Sequence, residues 1–301
     1  MKQRKLGFII MVLAAITFGL GAIFMKLLLD LTDLSPGHIA VWRFAIAAPL
    51  IWMVYLIRRS VSRLVPDRPW RFLGLGVVFS LASFSALFAL ERLPSSLYVI
   101  ILFIYPSMVS VYSLITGRTV PKLLWIGLPL SFVGLVLTAF DFSATVAIDF
   151  AGFLITLFNA LAVAFYMLLS EKVFNAVPER LLGTNWVMTG AMIFGLLMIP
   201  IFGVRFPQTA RGWVLLLSLG IFGTMIPILS MNISLQLIGA ARGSVIVTLQ
   251  PVTTILISTL FLGETLSLQQ WFGGGLVIAA IVVLQLSSDR KGKKETVSGH
   301  A

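Results

Sequence analysis

The sequence predicts an all-α integral membrane protein, with ten transmembrane helices arranged as two inverted five-helix repeats and both termini cytoplasmic. Three observations lead there. Of the 301 residues, 59% are hydrophobic and only 11% charged, and the mean hydropathy is +1.04. An ordinary soluble domain carries about 25% charge, enough to cover its core with polar surface. The apolar residues gather in runs long enough to cross a bilayer. The first and second halves of the chain also match one another.

The same composition excludes other classes. Disorder is ruled out by the amount of apolar surface. There are no cysteines, hence no disulfide, thiolate metal site or catalytic thiol. His38 and His300 are too far apart to form a metal cluster, so no metal is expected. The net charge of +11 does not indicate a nucleic-acid partner, because the basic residues are scattered through short gaps between apolar runs instead of forming one face. No Walker A sequence is present, so ATP is not a direct driver, and no cofactor is expected.

A membrane-crossing helix needs about 20 mostly apolar residues. Ten runs qualify: 6–29, 37–57, 72–92, 95–116, 122–140, 150–170, 181–202, 212–235, 241–262 and 268–287. The breaks between them are short and rich in Pro, Gly, Ser and charge. The first run follows Met-Lys-Gln-Arg-Lys. It is too long for a signal-peptide core and no Ala-x-Ala site follows, so it reads as a retained span. The polar tail, 289–301, reads as a disordered cytoplasmic segment.

Orientation follows from Lys and Arg. With both termini inside, 17 of the 22 basic residues face the cytoplasm and three, Arg92, Arg205 and Arg211, face out. Lys26 and Arg43 lie in or beside spans. Such a bias sets topology and predicts a multi-pass protein of the plasma membrane, the inner membrane in a Gram-negative cell.

At an offset of 145 residues the halves align. Leu6-Gly7-Phe8 faces Ala151-Gly152-Phe153, Ser85 faces Ser230 and Pro106 faces Pro251. One residue further along, Gly117-Arg118-Thr119 faces Gly263-Glu264-Thr265, and Trp125-Ile126-Gly127 faces Trp271-Phe272-Gly273. The units are therefore 1–145 and 146–288. Five spans is an odd number, so the second unit enters the membrane from the other side. Inverted repeats of this kind are widespread in secondary transporters.

These residues resemble the drug/metabolite transporter superfamily, specifically its EamA-type permeases, over residues 6–287. The most specific part is Ala240 to Leu284, with Gln250-Pro251 in mid-span, then Phe261-Leu262-Gly263-Glu264 and a Gly-rich last span. Phe18-Gly19 with Lys26 is similar to the family's Trp-Gly…Lys pattern, and Trp42-Arg43-Phe44 to its Arg-Phe. Phe18 stands where Trp is usual, and Arg118 where Glu is usual. The resemblance implies a ten-helix bundle that exports small organic metabolites, often amino acids.

Within the spans, proline removes a backbone donor and clashes with the carbonyl four residues back. Pro106 and Pro251 therefore strand the carbonyls of Leu102 and Val247. In lipid such groups must find neighbours, water or ligand, and paired interruptions in two halves point to a binding site. Tyr105 and Gln250 precede these prolines and are read as pathway residues, the alternative being bonds to neighbouring helices at a structural kink. Pro129 and Pro227 have no proline mates and read as kinks or hinges. Asn159 is either an interhelical fastener or a ligand contact, with Tyr166 two turns on along the same face. Phe18 sits at mid-depth, as core packing or as a stacking surface. Arg43, Lys26 and Glu264 are gate or charge-pair residues: Arg43 snorkels to the headgroups, pairs with Asp30, Asp33 or Glu264, or attracts an anionic group. No acid or His lies deep in a span, which argues for facilitated transport, exchange, or coupling through an acid at a span end.

A carrier with alternating access accounts for these features better than a membrane enzyme, whose acid, base or metal cluster is missing, or a non-transporting scaffold. The expected partners are the bilayer and a small-molecule substrate. The sequence leaves the substrate, the direction of flux and the choice between monomer and homodimer open.

Overall fold

The computed structural model describes residues 2–57, 64–93, 95–117, 122–139, 149–175, 180–262 and 267–298. Its elements are all helical, with no strand among the described residues. The first half holds α1 (Lys2–Leu31), α2 (Pro36–Ile57), α3 (Pro69–Leu90), α4 (Ser95–Leu102), α5 (Tyr105–Ile115) and α6 (Leu124–Ala139). The second half begins with α7 (Phe150–Phe174), α8 (Arg180–Leu197), the single turn α9 (Ile199–Phe202) and α10 (Ala210–Gly220). A π-helical turn (Ile221–Met225) joins α10 to α11 (Ile226–Ile238). After it come α12 (Ala240–Val247), α13 (Leu249–Leu262) and α14 (Leu268–Ser298).

Eight continuous or near-continuous helical segments are long and apolar enough to cross a membrane. The runs 122–140 and 268–287 hold shorter apolar helices, Leu124–Thr138 and Leu268–Val283, among the described residues. Large apolar side chains point away from the protein, with Ile115 78% and Leu260 79% exposed. Such a surface is stable against hydrocarbon and not against water, so the chain is a multi-pass membrane protein.

The two halves interleave. α1 lies against α11 and α13, α3 lies between α7 and α8, and α6 packs along α14. Helices in lipid gain little from hydrophobic burial and associate by close packing, which small residues permit. A Cβ on Gly21 of α1 would stand 2.7 Å from the Cα of Gly223 in the π turn, so only glycine lets these backbones meet.

The ends of the helices are fixed by local chemistry. Asp149 caps α7, its Oδ1 accepting from the N–H groups of Ala151 at 2.8 Å and Gly152 at 3.5 Å. Its other oxygen pairs with Arg92 at 3.2 Å, which ties the end of α3 to the start of α7. The Ala151 N–H, aided by Arg92, holds this carboxyl below its usual range. The backbone of α14 continues to Ser298, so residues 289–298, read from the sequence as disordered, are helical. The Lys, Arg and Glu of this stretch are good helix formers, and extending an existing helix needs no new nucleus.

Candidate functional site

The helix interruptions fall where the prolines place them. α4 ends at Leu102, four residues before Pro106, and α12 ends at Val247, four before Pro251. By contrast, Pro49 and Pro129 lie inside continuous helices. Leu102 and Val247 line the same cavity, of about 220 Å³.

Five of the residues singled out in the sequence meet there. Phe18 from α1, Tyr105 from α5, Asn159 and Tyr166 from α7 and Gln250 from α13 all line this cavity, and Arg43 from α2 joins them. Residues from both halves thus share one space. Pro106 and Pro251 are buried just outside its lining. Lys26 is exposed on α1 and lies outside the lining. Glu264, read as a gate residue, lies outside the described residues.

Arg43 departs from two of the sequence readings. It neither snorkels to the headgroups nor pairs with Asp30 or Asp33. Its Nε donates to Thr224 Oγ1 at 3.1 Å and its Nη2 to the carbonyl of Gly223 at 3.3 Å. Pro227 supplies the reason. Gly223 stands four residues before it, so the N–H that would bond its carbonyl in an α-helix is missing. The chain relaxes into a π turn closed by the Ile226 N–H on the Ile221 carbonyl, and Arg43 reaches across from α2 to the Gly223 carbonyl. Thr224, fully buried, passes its own hydroxyl hydrogen to the Leu219 carbonyl at 3.1 Å. Inserting an arginine at mid-membrane costs about 2.5–3.5 kcal/mol on insertion scales. Two charge-assisted bonds, each about 1.5–3 kcal/mol, offset that cost without a carboxylate.

Asn159 is fully committed within the protein. Its Oδ1 accepts from Tyr98 at 3.0 Å, and its Nδ2 donates to Ser85 Oγ at 2.9 Å and to the Ala82 carbonyl. It fastens α3, α4 and α7 while bordering the cavity. Tyr166 turns its hydroxyl to Asn232 at 2.9 Å. Asn232 also accepts from Ser170 at 2.9 Å and donates to Thr184 at 3.4 Å, locking α7, α8 and α11. Tyr105 makes one long bond, 3.4 Å, to the Ser244 carbonyl. The Gln250 side-chain amide makes no hydrogen bond among the described residues, and it remains free at the cavity wall.

The sequence reading missed Asn232, although a lone amide in span 212–235 is the same signal that drew attention to Asn159. It also missed Tyr98 and the link between Pro227 and Arg43, since nothing local relates positions 184 residues apart.

The cavity runs from Tyr105 and Gln250 at the helix breaks to Met25 and Leu90 near the ends of α1 and α3. At the other end of the bundle the described helices pack tightly. Ser234 Oγ donates to the Gly7 carbonyl at 2.5 Å, and a Cβ on Gly243 would stand 2.7 Å from the Met11 side chain.

Comparison with known proteins agrees with this architecture. The chain is 26% identical to "Uncharacterized transporter YcbK" of Bacillus subtilis, over 98% of this chain and 97% of that one. It is 22% identical to "Uncharacterized inner membrane transporter YicL" of Salmonella typhimurium, over 97% and 99% respectively. A solved crystal structure shares the fold with a TM-score of 0.79 at 18% identity, covering 96% of this chain and 98% of the other. The EamA-like transporter family matches twice, over residues 5–140 and again over 150–286. On that near-complete match the chain belongs to the EamA-like transporter family.

Proposed function

We propose that this protein is a secondary-type carrier that exports small organic metabolites such as amino acids, by alternating access around the central cavity. In this reading the chain crosses the membrane ten times as two five-helix repeats of opposite orientation, with both termini cytoplasmic. The shorter helices in α6 and α14 make up the fifth span of each repeat. The two family matches begin at residues 5 and 150, which supports two copies of one unit. The 17-to-three split of basic residues supports the orientation.

One observation carries the reading most. The helices broken by Pro106 and Pro251, at corresponding places in the two halves, open on one cavity lined from both halves. Discontinuous helices meeting at a repeat interface are a recurring design for a carrier's binding site. With the N-terminus inside, the closed end at Gly7 and Met11 faces the cytoplasm and the cavity opens outward. Closing around solute and reopening inward requires the broken helices to bend, and their breaks are the available hinges.

The test is solute counterflow in liposomes containing the purified protein, with candidates drawn from metabolite profiles of cells with and without it. A carrier shows saturation and acceleration by solute on the far side; a flux that rises linearly and ignores the far side is that of a pore. The chain has no native cysteine, so single cysteines placed near each end report topology. Labelling of the two ends from opposite faces would end the inverted-repeat reading.

A further inference from the structure

The charge of the cavity narrows the solute it can hold. Arg43 is the one residue of the described lining that is charged at neutral pH; no Asp, Glu, Lys or His lines it. A guanidinium carries five N–H donors. One on Nε and one on Nη2 are taken, and both acceptors, Thr224 Oγ1 and the Gly223 carbonyl, are neutral. The π turn therefore holds Arg43 in place without cancelling its charge.

The three remaining hydrogens, two of them on Nη1, have no partner among the described residues. Nor is Nη1 sealed off: among the described residues only Nε of Arg242 is a fully buried side-chain nitrogen or oxygen without a bond. Nη1 and the second Nη2 hydrogen form the edge of the guanidinium that matches a carboxylate with two parallel bonds. The same lining offers Phe18, Phe79, Leu87, Phe103 and Met231, an apolar bed, and the free amide of Gln250.

We propose that the cavity takes a small organic solute with a carboxylate on an apolar body, the carboxylate docking on the free edge of Arg43. The assignment rests on the carrier reading and names the chemical class of its substrate. A cationic solute meets an uncompensated positive charge and is rejected. A neutral amide of the same shape fills the apolar bed but leaves the guanidinium unpaired, and a buried unpaired charge carries a large penalty.

The test measures the thermal stabilisation of purified protein by matched compounds, because a ligand that binds the folded state raises Tm. The panel is 4-methylpentanoate, leucine, 4-methylpentanamide, leucinamide and sodium chloride. The two carboxylates should stabilise the protein at concentrations about tenfold or more below those needed for either amide, the scale of one lost charge-assisted pair. Arg43→Gln should erase the preference. Because that change also strands the Gly223 carbonyl, the decisive variant is Arg43→Gln with Pro227→Ala, which returns a backbone N–H to that carbonyl. Arg43→Lys should retain part of the preference. Equal stabilisation by acid and amide, stabilisation matched by chloride, survival of the preference in the double variant, or no shift with either carboxylate overturns the proposal. Carboxylate binding without counterflow in liposomes would leave the proposal standing and sink the carrier reading.

Discussion

Two kinds of proline break stand side by side in this bundle. At Pro227 the stranded carbonyl of Gly223 is answered from inside the protein: Arg43 donates to it, and the backbone settles into a π turn between α10 and α11. At Pro106 and Pro251 the helices part, and the residues carrying the stranded carbonyls, Leu102 and Val247, line the cavity. The same covalent lesion yields a stitched joint in one region and an open one in the other. The difference lies in what stands opposite. A joint filled by a long cation from a neighbouring helix is held, while a joint beside empty space keeps its polar groups for solute or water. Stitched and open joints in one bundle differ in whether the protein itself occupies the polar groups that proline frees.

The comparison can be broken most directly at Arg43. Arg43→Ala removes the donor and the only charge in the described lining, so both stability and flux should fall. Leaving the Gly223 carbonyl unpaired costs about 1–3 kcal/mol, read as a lower Tm in detergent, and counterflow should drop at least tenfold. Pro227→Ala in the same chain should recover most of the Tm and none of the flux. Recovery of both would mean that Arg43 is a stitch alone.

Next in size is Gln250→Ala at an open joint. The amide makes no bond among the described residues, so the variant should express and melt like the parent while flux falls severalfold. A Tm loss equal to that of Arg43→Ala would show that this joint is stitched too. Asn159→Ala should do the reverse, lowering stability by about 2 kcal/mol, the sum of three bonds at about 0.6 kcal/mol each in a membrane, with a smaller loss of flux. Tyr105→Phe removes one long bond and should weaken transport only slightly; a large effect would place its hydroxyl on the solute.

The smallest effect belongs to Asp149, outside the apolar core. Its carboxyl is held below the unfolded value, so its contribution to stability is present above that value and is lost as pH falls through the folded one. Melting at successively lower pH should show a slight extra loss in the parent that is absent in Asp149→Asn, since Asn still caps the helix.

Much of the site was legible because its signals are local and chemical. A proline in an apolar run announces a broken hydrogen bond wherever the helix goes, and Leu102 and Val247 follow by counting four residues back. A polar side chain such as Asn159 or Gln250 at mid-depth announces a need for a partner, though not which partner. That is why the sequence could name both residues but not tell that Asn159 is consumed by Tyr98, Ser85 and Ala82 while Gln250 is left free. The expected ion pairs of Arg43 with Asp30 or Asp33 rested on counting charges near a span end. They missed that a neutral carbonyl made available by Pro227 is the nearer acceptor.

The sequence by itself determined that the chain lives in a bilayer, in helices long and apolar enough to cross it, and that the helices carrying Pro106 and Pro251 are interrupted. Those follow from hydrophobic length and from proline chemistry, both properties of a residue and its neighbours along the chain. Only the tertiary structure decided that the breaks of the two halves open on one cavity, that Arg43 serves the π turn, and which amide stays free. Those depend on contacts between helices far apart in sequence, fixed by the close approach of small residues such as Gly21 and Gly223, and a hydropathy pattern carries no record of which helix a given face will meet.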